Sequence, residues 1–168
     1  YLELVKARAR SETDPAGRAS AVAALRKGLN IILRLLAPYV PYVTEEAWSW
    51  DFGLDSKASI HLAPWPESSE VTSLGTSSEH ADVYDLAKGA LGAINRAKTQ
   101  AGGTVGRHVA SLTIAASQGV LDMFAKAEAD IVAATRVMSL SKAAVAGPDF
   151  DIAGLVKEID LLPVPEKA

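Results

Sequence analysis

Cysteine is missing from all 168 residues, which removes disulfides, thiolate metal sites and cysteine nucleophiles at once. Long apolar runs are missing too. The densest, Leu29 to Ala37, is interrupted by Arg34 and falls far short of the roughly 20 residues a membrane helix needs. The N-terminus lacks the basic-then-apolar pattern of an export signal. Internal repeats and low-complexity tracts are absent, which sets aside solenoids and fibrous folds. A non-membrane, cytoplasmic protein is the expectation.

What remains is globular composition: 49% hydrophobic, 22% charged, and enough apolar side chain in 17.6 kDa to fill a core. The net charge of −3 argues against a wholesale polyanion binder, but it conceals an asymmetry. Residues 51–85 carry one basic and seven acidic side chains. Residues 86–110 carry Lys88, Arg96, Lys98 and Arg107 with no acid among them. A polyanion would meet a local positive strip there, although a solvated helix face produces the same count.

Periodicity sets the elements. Leu2, Val5 and Ala9 share a helical face, and a pattern already under way at Tyr1 predicts a piece of a longer polypeptide. Asp14-Pro15 reads as N-cap and first helical residue. The helix that follows carries Val22, Leu25, Leu29, Ile32, Leu33 and Leu36 as an apolar stripe facing a bundle, and Pro38 ends it. Thr44 is expected to cap a short helix, with Glu45 and Glu46 against its dipole. Ser59 to Pro66 reads as extended and Ser68 to Ser78 as a linker. Thr76-Ser77-Ser78-Glu79 matches a capping box for a helix with Val83, Leu86, Ala87, Ala90, Leu91, Ile94 and Ala97 on one face. Ala101-Gly102-Gly103 terminates it. Residues 111–115 alternate as a strand, Val120 to Thr135 returns to helical spacing, and 141–146 and 156–162 are further candidate strands. The fold class expected is mainly α: a helical bundle over 1–108 and a small β-α-β unit over 109–168.

Catalytic constellations are thin. His61, His80 and His108 lack metal-ligand spacing, and adjacent Glu45 and Glu46 point about 100° apart on a helix. Gly102 to Gly106 lacks the lysine and preceding strand of a phosphate loop. Met138-Ser139-Leu140-Ser141-Lys142 only echoes an ATP-handling loop, without its leading lysine. No covalent chemistry and no metal are expected of this chain.

Three segments in order carry a resemblance. Tyr1-Leu2-Glu3-Leu4-Val5-Lys6, the stretch from Leu33 to Trp48 (LRLLAPYVPYVTEEAW), and Ser59-Ile60-His61-Leu62-Ala63-Pro64-Trp65-Pro66 resemble the anticodon-binding domain of class I aminoacyl-tRNA synthetases of the valine, isoleucine and leucine group. Ala63-Pro64-Trp65-Pro66 is more similar to the valine branch. The resemblance covers roughly residues 1–110. It implies a tRNA partner (the valine isoacceptor), catalytic and editing domains elsewhere in the same chain, and ATP and Mg²⁺ used by the whole enzyme rather than here.

Pro38, Tyr39, Pro41 and Tyr42 are expected to anchor a helix corner, Trp48 to pack the bundle and Trp65 to clamp the extended segment. RNA contact is expected instead from Lys6, Arg8 and Arg10, and from Arg96, Lys98, Arg107 and His108 around the glycine loop, where cations neutralise phosphates or meet unpaired bases. Ile94-Asn95-Arg96-Ala97-Lys98 partly resembles the group's Ile-Arg pattern, departing at Asn95. The alternatives are the same module of an isoleucine or leucine enzyme, and a helical protein-interaction module without RNA affinity.

Overall fold

The computed structural model describes residues 1–53, 58–72, 78–146 and 155–163. They form two compact units, Ser11–Thr76 and a unit that joins Tyr1–Arg10 to Ser77–Ala168. The boundary expected after residue 108 therefore runs through the interior of the second of these.

In the unit of 11–76, α2 (Pro15–Leu36) starts where Asp14 accepts a hydrogen bond from the Gly17 N–H at 2.9 Å, as the Asp-Pro pair predicts. Its apolar stripe is largely exposed: Leu33 is buried, whereas Val22, Leu29, Ile32 and Leu36 are not. Within this unit the packing falls on one side of the helix only, where Leu33, Ala37, Trp48 and Ile60 form a small core.

Helix α3 (Pro41–Ser49) begins four residues earlier than a Thr44 cap predicts. The cause is Pro41, whose fixed φ suits a first helical turn. Thr44 is consequently interior and buried, its hydroxyl donating to the Val40 and Pro41 carbonyls at 3.0 and 3.1 Å. Glu45 is displaced from the dipole and accepts from the Ser59 hydroxyl (2.8 Å) and the Ile60 N–H (2.9 Å). That clamp explains the short 3₁₀ turn Ile60–Leu62, capped by Ser59, where an extended segment was expected; extended geometry resumes at Ala63.

Trp48 packs as expected, its indole N–H donating to the Ala58 carbonyl at 3.1 Å and its ring 4.9 Å from Phe52. Tyr39, Tyr42 and Trp65 do not: they are 80%, 89% and 60% exposed, so the corner is fixed by its prolines and Thr44 rather than by aromatic anchors. A one-turn helix, α4 (Ser69–Thr72), interrupts the expected linker. Its Glu70 pairs with the buried Arg34 at 2.6 Å and with Lys27 at 2.9 Å. These cations hold the Glu70 carboxyl at a pKa of about 2.

In the other unit, the N-terminal helix α1 (Leu2–Val5) lasts one turn and is followed by a 3₁₀ turn, Arg8–Arg10. Leu4 and Val5 face the core while Leu2 is exposed, so the continuous Leu2-Val5-Ala9 face is broken. Helix α5 (Ser78–Gln100) buries Leu86, Ala87, Ala90 and Ile94, the face its sequence predicts. Residues 76 and 77 and the side chains of Ser78 and Glu79, which carry the capping-box motif, lie outside the described residues, as do 54–57 of the loop before Ser59. Strand β1 (Val109–Ala116), helix α6 (Gln118–Thr135), strand β2 (Val137–Ala144) and strand β3 (Val156–Leu161) follow.

The sheet order is β2-β1-β3, with β1 parallel to β2 and antiparallel to β3. The second strand starts four residues before the expected position because Arg136, at φ 55°, ends α6 in left-handed geometry and turns the chain directly into β2. Phe124, Ile131, Val109, Leu112, Ile114 and Leu86 fill the core between helices and sheet. No helix among the described residues is long and apolar enough to cross a membrane.

Candidate nucleic-acid interface

The basic residues expected to meet RNA take up different positions. Lys6 is exposed at the end of α1, 3.9 Å from Glu3. Arg8 is turned onto α6, where its guanidinium grips the Asp130 carboxylate through two donors. Arg10 is exposed. Arg107 donates twice to the Leu162 carbonyl, at 2.9 and 2.6 Å, and so ties the loop before β1 to the end of β3. His108 is exposed beside it, and its carbonyl accepts from the Leu162 N–H at 3.2 Å.

Lys98 requires a correction. Its side chain is fully buried, not presented to solvent. The ammonium donates to three backbone carbonyls, Val105 at 3.0 Å, Arg107 at 2.8 Å and Thr135 at 2.5 Å. A lysine offers three donors, and these three acceptors match that number. Burial pushes its pKa down, and nearby Arg136 adds to the shift. Lys98 cannot reach a phosphate. It staples the loop of residues 101–107 to the end of α6 instead.

The loop geometry depends on two glycines. Gly102 adopts φ 75°, closing α5 in left-handed geometry. Gly103 passes so close to Leu161 that a Cβ there would sit 2.6 Å from its methyl carbon, and its N–H donates to the Lys98 carbonyl at 2.8 Å. Arg136 completes the arrangement by donating to the Gly106 carbonyl at 2.7 Å. Sequence reasoning passed over Arg136, since nothing in its local pattern announces a left-handed residue facing a loop thirty positions earlier.

Arg96 takes a different position from Lys98. It is exposed, and it has no carboxylate partner among the described residues. With Gly92, Asn95, Thr99, Gln100 and Val105 it lines an open cleft of about 340 Å³ along α5. The spacing of these five helical positions places them on one face, the side turned away from Leu86, Ala90 and Ile94. That polar face was legible in the sequence; Val105 was not, because a buried lysine sets its place.

A larger cleft, about 630 Å³, lies along α2 in the other unit and includes Arg26, Lys27 and Phe52. Its cations are already engaged, Arg26 by Asp51 at 2.7 Å and Lys27 by Glu70. Among the described residues, no group of three or more His, Asp or Glu is placed to hold a metal ion.

Comparison with known proteins places this geometry in context. The family model described as "anticodon-binding domain of tRNA ligase" matches residues 1–106. A valine–tRNA ligase of Leifsonia xyli subsp. xyli is 40% identical, over 93% of this chain and 17% of its own length. One of Salinispora tropica is 38% identical, over 85% of this chain and 18% of its own length. One of Thermobifida fusca is 37% identical, over 83% of this chain and 15% of its own length. The chain thus spans less than a fifth of the length of these relatives.

Proposed function

The chain belongs to the anticodon-binding domain family of tRNA ligases, and we propose from that membership that it holds the anticodon arm of a valine tRNA for a larger valine–tRNA ligase. The observation that carries this reading is the family match across residues 1–106 together with valine–tRNA ligase relatives that cover most of the chain. In this reading the ATP- and Mg²⁺-dependent attachment of valine belongs to catalytic parts of the enzyme outside these residues, working in the cytoplasm. This chain contributes position and selection.

The exposure of several basic side chains supports one way for it to do so. In this reading the exposed Lys6, Arg10, Arg96 and His108 would meet phosphates or bases, while Arg8, Lys98 and Arg107, engaged in bonds within the fold, would support the surface around them. Base edges inside a stem are hidden in a deep, narrow groove, so discrimination falls on unstacked loop bases. The family match runs against a protein-interaction module without RNA affinity.

The test is binding of the 168-residue chain to a valine tRNA transcript and to one with a changed anticodon, at low and moderate salt. Preference for the native anticodon, reduced in Arg96→Ala, is the expected result. Absence of binding to both transcripts at low salt would overturn anticodon recognition by this chain.

A further inference from the structure

Between α5 and β1 the backbone is polarised in one sense. The successive carbonyls from Thr104 to His108 all accept hydrogen bonds. Thr104 accepts from the Arg107 N–H at 3.0 Å, Val105 and Arg107 from the Lys98 ammonium, Gly106 from Arg136, and His108 from the Leu162 N–H. The N–H groups of the same stretch fare differently. Those of Thr104, Val105, Gly106 and His108 have no acceptor among the described residues, and all four residues are exposed.

Water serves such donors in any surface loop. What an ordinary loop lacks is the charge around this one. Lys98, Arg107 and Arg136 meet only backbone carbonyls, and no carboxylate pairs with them among the described residues. Arg136 lies near enough to Lys98 to add to the lowering of its pKa by burial. It also occupies, at φ 55°, a left-handed position after a helix that glycine adopts without strain. Its guanidinium therefore stands beside the loop against both backbone preference and like-charge repulsion. Only its Nη1 is engaged, on the Gly106 carbonyl.

We propose that residues 104–108, with the Arg136 guanidinium, form a binding site for a phosphate-class oxyanion. Successive unpaired N–H groups are donors for such an anion, and the carbonyls that would repel it are already taken up. The remaining Arg136 donors supply a charge-assisted bond to one of its oxygens. The loop lacks the sequence of a nucleotide phosphate loop; here the lysine comes from the preceding helix and acts from beneath. A phosphodiester of RNA and a free phosphate group share this chemistry. The site is separate from the reading of bases and stands whether or not the chain selects an anticodon.

The test follows the backbone amide resonances of the 168-residue chain during titration with inorganic phosphate, with sodium chloride at matched ionic strength as control. The amides of Thr104, Val105, Gly106 and His108 should shift saturably with phosphate and not with chloride. Arg136→Gly suits the left-handed position, so it should keep the melting temperature while weakening phosphate binding about tenfold. Arg136→Lys restores a cation and a donor and should recover most of that loss. A second titration uses a short oligouridylate. If it shifts the same amides and inorganic phosphate displaces it, the site takes an RNA backbone; if only inorganic phosphate shifts them, it takes a free phosphate group. Both results uphold an oxyanion site. Shifts that chloride reproduces, or a phosphate affinity unchanged in Arg136→Gly, overturn it. Failure of anticodon preference leaves these results untouched, so the two readings fail separately.

Discussion

Among the basic side chains, neighbours in sequence do opposite work. Arg96 and Lys98 are two positions apart, and one faces solvent while the other lies beneath the surface with three carbonyls around it. Lys98→Met should lower the stability of the chain by about 2 kcal/mol or more, because the carbonyls lose their donor inside the fold. Arg96→Ala should leave the melting temperature unchanged and weaken RNA binding. A thermal melt beside an RNA titration separates the two variants. Sequence could not have done so: a lysine and an arginine at the end of a helix look alike until the following loop folds back over one of them.

Glu70 sets a pH dependence at the same scale. Its pKa of about 2 lies below the ordinary 4.5, so its pairing with Arg34 and Lys27 stabilises fully above about 4.5. The contribution disappears as pH falls from there towards 2. The melting temperature of the native chain should therefore decline through that window, and Glu70→Gln should show a lower but flatter profile over the same range.

Helices and strands were more legible than the turns between them. The cap of α2, the buried face of α5 and the strand-helix-strand order after residue 108 follow from spacing, because one backbone hydrogen-bonding pattern repeats over many residues. The start of α3 and the 3₁₀ turn at Ile60 did not, because Pro41 and the Glu45 clamp decide them through single contacts. Asp14→Ala should cost about 1 kcal/mol through the lost cap. Phe124→Ala, at the centre of the α6–sheet core, should cost about 3–5 kcal/mol. Denaturant unfolding of both variants checks the ranking.

For the molecule as a whole, the net charge of −3 limits how much affinity can come from phosphates. Of the basic residues expected to meet RNA, Lys6, Arg10 and Arg96 are the exposed cations, and about three phosphate neutralisations correspond to a log–log salt slope of roughly −2 for single-stranded loops. A much steeper slope would mean that a wider basic surface is engaged. The family motifs and the cleft also separate at this scale. Most of the recognisable signature lies in the unit of 11–76, where Thr44, Glu45 and Trp48 hold a corner together. The positive strip and the cleft lie in the other, where the signature is faint.

The burial of Lys98 has a chemical consequence as well. Its amine is enclosed on every side and meets no reagent. In a pulse of acylating label, exposed lysines such as Lys6 and Lys88 should react at once, and Lys98 only when the loop lifts from the helix end. Its labelling rate, read by mass spectrometry, would therefore clock the opening of that region in the otherwise intact protein.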